Sequence, residues 1–133
     1  MQRVKVKKGQ LICKENSDGD NMYIIENGKV DVFKTINAQK VKLSTFSDHE
    51  FFGEMCLLLG KKRSATVQAV EDTVLDVLSK QDFLEKIQND REFALRIMTS
   101  LANRVLGAHD IICELEGAKK SLEIMYKSKQ VII

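Results

Sequence analysis

The stretch FFGEMCLLLGKKRSAT, residues 51–66, gathers groups that together suit a sugar phosphate. Arg63 offers a planar fork of donors that matches phosphate oxygens, and Ser64 beside it adds a hydroxyl. Glu54, an acceptor only when ionised, suits a sugar hydroxyl better than the phosphate. Gly53 lacks a Cβ, so the backbone there can take conformations other residues avoid and come close to a ligand. The apolar run from Met55 to Leu59 suffices for about one or two helical turns before Gly60 stops it. The first N–H groups of such a helix, those of Met55, Cys56 and Leu57, have no partner inside it and, with the positive end of the dipole, favour an anion. Taken singly, a glutamate at a helix start is a dipole partner and an arginine after Lys61 and Lys62 is a solvated turn. At this spacing, flanked by Phe52, Ala65 and Thr66, they read as one site.

Catalysis is not expected. The sequence has no nucleophile–base pair and no metal-ligand cluster, whereas a phosphodiesterase would need several metal-binding histidines and carboxylates. Cys13, Cys56 and Cys113 are odd in number and far apart, so they read neither as a disulfide framework nor as paired metal ligands. His49 and His109 are likewise isolated along the chain. A thiol at Cys56 with a lowered pKa, beside a helix start and Arg63, is the minor alternative.

The elements that must hold these groups change character at mid-chain. Val4 and Val6 alternate with basic residues, Gly9 precedes Leu11 to Cys13, and Asp18-Gly19-Asp20 signals a turn. Met22 to Ile25 and Val30 to Phe33 flank Asn27-Gly28, the strongest short hairpin signal in the chain. Further stretches follow at Val41, Leu43 and Phe46, at Ala65, Val67 and Ala69, and at Val74 to Leu78. Short strands at this spacing predict a jelly roll or barrel. Ser79 and Asp82 then form a capping-box pattern, with Phe83, Leu84 and Ile87 opening a helix. From about Asp90 a longer helix is expected, its apolar seam running through Met98, Leu101, Val105, Ala108, Ile112 and Leu115 at alternating spacings of three and four. That heptad pattern predicts a two-stranded coiled coil between subunits; packing on the chain's own roll is the plainer alternative. Gly107 lies inside the seam and weakens the helix by roughly 1 kcal/mol relative to alanine.

Length and composition set the limits. The 133 residues, 44% hydrophobic and 30% charged, fit one globular domain with a core. A formal charge of +2 is too small to argue for nucleic acid, and no apolar run approaches a membrane span or follows a basic start. A cytoplasmic protein is expected. The tail from Gly117 to Ile133 mixes Lys119, Lys120, Lys127 and Lys129 with Leu122, Ile124 and Met125, a basic amphipathic pattern more often a solvated helix end than a partner surface.

FGEMCLLLGKKRSATV strongly resembles the phosphate-binding cassette of the cyclic-nucleotide-binding domain, which is shared by catabolite-activator-type regulators, regulatory subunits of cyclic-AMP-dependent kinase and cyclic-nucleotide-gated channels. GQLICKENSDGDNMYIIENGKVDVFK is similar to that family's first glycine-rich stretch, with Asn16 where glycine is frequent. The resemblance implies a mainly β fold with α: an eight-stranded, jelly-roll-like β-roll with a short cassette helix and C-terminal helices. On this reading residues 1–80 form the roll, with the cassette at 51–66, and residues 81–133 form helices for lid and dimerisation.

The resemblance also implies roles. Glu54 takes the ribose 2′-hydroxyl, Arg63 pairs with the cyclic phosphate, and Ser64 and the backbone N–H of Cys56 touch the phosphate; Gly53, Met55 and Ala65 complete the ligand-binding set. Cys56 replaces the commoner alanine. The family's C-terminal helix lies over the base, and where catabolite-activator-type lids place two hydroxyl residues this chain has Ala108 and His109, the candidate lid contacts. The implied ligand is a cyclic purine nucleotide with no prosthetic group or metal. Cyclic AMP is preferred over cyclic GMP because Ser64 follows the bacterial cyclic-AMP pattern. The expected assembly is a homodimer through the long helix, with no nucleic acid bound by this chain itself and no membrane insertion. The alternative is the sensory portion of a catabolite-activator-type transcription regulator, with a ligand that need not be a cyclic nucleotide. The chain begins almost at its first strand and leaves no room for a helix-turn-helix domain, which fits an excised regulatory domain as well as a stand-alone binder.

Overall fold

A computed structural model describes residues 1–118. Eight strands come first: β1 (Gln2–Val6), β2 (Leu11–Cys13), β3 (Met22–Asn27), β4 (Lys29–Ile36), β5 (Gln39–Ser47), β6 (Phe51–Phe52), then β7 (Thr66–Ala69) and β8 (Thr73–Leu78) after the short helix α1 (Glu54–Leu59). Helices α2 (Lys80–Asn89) and α3 (Arg91–Ala118) follow. Every strand pairing is antiparallel, in two four-stranded sheets of order β1-β8-β3-β6 and β2-β7-β4-β5. The core lies between them: Val6, Ile25, Phe52 and Leu75 come from the first sheet, and Cys13, Val30, Val32, Val67 and Ala69 from the second. Alternation along the strands is what lets each sheet turn an apolar face inward.

One sequence expectation is corrected. Asn27-Gly28 does not close a hairpin, because β3 and β4 belong to different sheets. Gly28, at φ +124°, carries the chain from one sheet to the other, and its N–H donates to Asp48 Oδ1 at 2.8 Å. A Cβ there would lie 2.4 Å from Thr73 Oγ1, so the glycine serves a close crossing over buried Thr73 rather than a tight turn. The hairpin lies ten residues on, between β4 and β5, where Ile36 pairs with Gln39 across Asn37 (φ 52°) and Ala38 (φ 63°). Two consecutive left-handed residues are the requirement of a type I′ turn.

The capping box forms as expected: Asp82 N–H donates to Ser79 Oγ and Ser79 N–H to Asp82 Oδ2, both at 3.1 Å. Asp90 caps α3 by accepting from Phe93 N–H at 3.0 Å. The chain divides into two compact units, Met1–Glu85 and a second from Lys86 onward. In the second unit Phe93 and Ile97 are buried, while Met98, Val105, Ile112 and Leu115 of the expected seam are 60%, 47%, 59% and 55% exposed. Leu95, Leu106 and Ile111 are exposed as well, and Leu101 is half-buried. The basic tail expected through Ile133 lies outside the described residues beyond Ala118. No helix among the described residues is long and apolar enough to cross a membrane.

Candidate functional site

Strand β6 delivers the chain to Gly53, which sits at φ +86° and opens α1. A Cβ at this position would lie 2.8 Å from Arg63 Nη1 and 3.1 Å from Asn21 O, so both the backbone angle and the space require glycine. Glu54 begins the helix and is buried, 9% exposed; Cys56 and Leu57 face inward, while Met55, Leu58 and Leu59 face solvent. Gly60, also left-handed, ends the helix with its N–H on Cys56 O at 3.0 Å. Six residues make this helix a platform of free N–H groups more than a dipole.

Arg63 is 6% exposed. Its backbone is tied to the loop after β2, with Arg63 N–H on Ser17 O and Asn16 N–H on Arg63 O, both 2.8 Å. Asn16, where the resemblance expected glycine, takes the left-handed conformation at φ 67°, which asparagine tolerates. Gly19 packs against the guanidinium so closely that a Cβ there would be 2.3 Å from Arg63 Nε. Nη1 donates to Asn21 O at 2.8 Å and Gly53 O at 3.5 Å, and the guanidinium carbon lies 5.5 Å from the centre of the Tyr23 ring, which stacks on Phe52 at 4.9 Å. Nε and Nη2 have no acceptor among the described residues, and no carboxylate there comes within ion-pair distance of this cation. A buried guanidinium carries several kcal/mol of desolvation cost unless an anion answers it, on the order of the effective penalty per buried ion.

Two further groups share this corner of the roll. Burial pushes the Cys13 thiol up, an effect that the Arg63 charge and a hydrogen bond with Tyr23 partly offset. Burial likewise raises the Tyr23 phenol, with the neighbouring Cys13 adding to it.

The structure thus brings Gly53, Glu54, Cys56 and Arg63 together around the start of α1. Ser64 is exposed, its carbonyl accepting from Lys34 Nζ at 3.0 Å, and Ala65 packs against the roll core. Met55 points outward. Ala108 and His109 belong to α3 in the second unit. Sequence reasoning missed Gly19, Asn21 and Tyr23, which approach Arg63 from far along the chain; Asp18-Gly19-Asp20 signalled only a turn. A separate cleft lined by Glu15, Phe33, Lys34, Thr35, Lys40 and Thr66 has its charges already matched, Lys34 with Glu15 at 3.8 Å and Lys40 over the Phe33 ring at 4.0 Å. No group of three or more metal-ligating side chains occurs among the described residues.

Comparison with known proteins bears on this geometry. The family described as "Cyclic nucleotide-binding domain" matches residues 3–90. The chain is 35% identical over 105 residues to a cyclic AMP receptor protein of Thermus thermophilus, covering 78% of this chain and 49% of that one. It therefore spans about half the length of this relative. The crystal structure of the Thermus thermophilus catabolite activator protein superposes with a TM-score of 0.76 at 34% identity, over 87% of this chain and 55% of that one. The cAMP-bound form of the EAL enzyme Bd1971 covers 97% of this chain and 34% of its own, at 33% identity and a TM-score of 0.61.

Proposed function

The chain belongs to the cyclic nucleotide-binding domain family, and from that premise we propose that it is a sensor domain for a cyclic purine nucleotide, cyclic AMP in preference to cyclic GMP. The observation that carries the reading is Arg63, a buried cation whose Nε and Nη2 have no acceptor among the described residues. The cyclic phosphate answers that charge, supported by the Ser64 hydroxyl and the N–H groups of Met55 and Cys56, with Ala65 behind them. Glu54 takes the ribose 2′-hydroxyl, and Gly53 lets the sugar approach the backbone. Ala108 and His109 are the proposed lid contacts, and the helix that bears them carries the response. A ligand shifts such an equilibrium only by binding two states unequally, which a cassette and lid acting together can do.

The division at residue 80 between roll and regulatory helices belongs to this proposal, as does a homodimer through the exposed seam of α3. The domain itself does no chemistry on its ligand. A cytoplasmic setting suits the three cysteines, all of them free. A second reading, the sensory section of a longer transcription regulator, is favoured by the 49% coverage of the Thermus relative. A longer reading frame encoding a helix-turn-helix after Ile133 would select it.

Titration calorimetry of the nucleotide-free protein with cyclic AMP and cyclic GMP, with Arg63→Ala alongside, tests the main reading. Wild-type binding in the micromolar range or tighter, weakened in the variant by roughly ten- to a hundredfold or more through loss of a charge-assisted contact of about 1.5–3 kcal/mol, is the expected result. No heat with either nucleotide, from protein whose circular dichroism shows it folded, overturns it.

A further inference from the structure

The sequence separates His109 and Cys113 by three residues, and α3 places them one turn apart on the same face. Cys113 Sγ lies 3.6 Å from His109 Nε2. Cys113 is exposed and His109 half-exposed, so the pair is open to solvent, unlike buried Cys13 and Cys56. A tetrahedral zinc ion with Zn–S of about 2.3 Å and Zn–N of about 2.0–2.1 Å holds such donors about 3.5–3.6 Å apart. The contact is a thiol–imidazole hydrogen bond, and its length also matches the separation a tetrahedral metal requires, so a metal can take the place of the shared proton without a change of helix register.

We propose that His109 and Cys113 form a bidentate site for a borderline-soft divalent transition metal, zinc(II) by preference, with water in the remaining positions. Imidazole and thiolate select such a metal over magnesium and calcium, which require oxygen ligands. Carboxylates follow each donor in sequence, at Asp110 and Glu114, and add negative charge to this stretch of the helix. On binding, the Cys113 thiol releases its proton to solvent as the S–metal bond forms, and neutral His109 donates the Nε2 lone pair; nothing is oxidised. The metal staples one turn of α3, so metal binding and helix order in this turn are linked. The site shares His109 with the proposed lid, so a bound metal and a lidded nucleotide would compete for that side chain, whereas the cassette residues take no part in it.

Cobalt(II) makes the test visible, because a thiolate ligand gives it a charge-transfer absorption in the near ultraviolet. The full chain, reduced and in a buffer without chelators, is titrated with cobalt(II), then with zinc(II) in competition and magnesium as control. The absorption is expected to appear with cobalt, vanish with zinc and ignore magnesium. Cys113→Ser should abolish it, and His109→Gln should weaken binding at least about tenfold through loss of the chelate partner. Cys113→Ala combined with Glu114→Cys keeps a thiol and an imidazole but turns the thiol about 100° around the helix, and should lose the site to a similar degree. All these positions are solvent-accessible on the helix, and circular dichroism verifies that each variant folds. The proposal is overturned by absence of the absorption at millimolar cobalt, by its persistence in Cys113→Ser, or by unchanged affinity in His109→Gln or in the register-shifted variant.

Discussion

The cassette corner of the roll and the apolar seam of α3 each leave something unanswered, and they do so in opposite ways. At the cassette it is a cation: Arg63 is buried, tied by one nitrogen to two carbonyl oxygens, with its other donors turned to no acceptor among the described residues. Along α3 it is apolar surface, with Met98, Val105, Ile112 and Leu115 all about half exposed or more. The difference lies in how much each deficit specifies. A buried charge in a fixed frame selects an anion of one size and position, because both desolvation and geometry penalise alternatives. A hydrophobic stripe asks only to be covered, and its heptad spacing narrows the partner to another helix.

The largest expected effect breaks the α3 side. Val105→Glu with Ile112→Glu removes two seam residues from each helix of the proposed dimer, where burial of each would be worth about 1.5–3 kcal/mol, and would place like charges opposite one another. The proposed seam dimer predicts that sedimentation shows a dimeric parent and a monomeric variant at the same concentration, with nucleotide affinity of the roll kept within a few-fold. A variant with unchanged sedimentation would remove the seam as the interface. The cassette side is sharpened by Arg63→Lys, which keeps the charge and removes the fork. An ammonium cannot hold Asn21 O and present paired donors to a phosphate together, so affinity should fall about tenfold, between parent and Arg63→Ala. Equal affinity in calorimetry would mean that charge alone is read.

A smaller effect follows from the thiol beside Arg63. Burial raises the Cys13 pKa in the folded protein, with the Arg63 charge and Tyr23 opposing it. Because the folded pKa lies above the unfolded value of about 8.5, the stabilisation from keeping this thiol neutral is whole below that pH and is lost as pH rises through the folded value. Denaturant midpoints should therefore decline from about pH 8.5 upward, and Cys13→Ala should flatten that decline while lowering stability near neutrality. A parallel decline in parent and variant would assign the effect to other groups, Tyr23 first among them since burial raises its phenol too. No comparable alkaline signature is expected of the α3 seam, whose apolar groups do not titrate.

What the sequence discloses follows the same division. Gly53, Glu54 and Arg63 are legible because they lie within one short segment, a glycine-opened helix and the approach to a return strand, even though the loop after β2 and Asn21 are what fix Arg63 in place. Tyr23, Asn21 and Gly19 reach Arg63 only after two sheets have closed, and nothing in their spacing announces it. The seam is legible as a period but not as a contact. His109 and Cys113 look isolated when read singly, although their i, i+4 spacing was the available signal.

The hairpin shows how a strong local signal and the correct local structure can part company. Asn-Gly is favoured in type I′ turns because both residues tolerate positive φ, yet here Gly28 is spent on the crossing over Thr73. The turn itself falls to Asn37-Ala38, where an alanine sits at φ 63° against its preference. A left-handed alanine costs about 1–2 kcal/mol, and glycine would recover that less the about 0.4–1 kcal/mol of extra freedom it gives the unfolded chain. Ala38→Gly should therefore stabilise the roll by about 0.5–1 kcal/mol, a rise in denaturant midpoint at constant slope. The gain belongs to a turn closed within one sheet, so it should be the same in the Val105→Glu/Ile112→Glu background as in the parent. If the gain depended on an intact seam, the roll's stability would be coupled to what covers α3, and the two regions would be answering one demand rather than two.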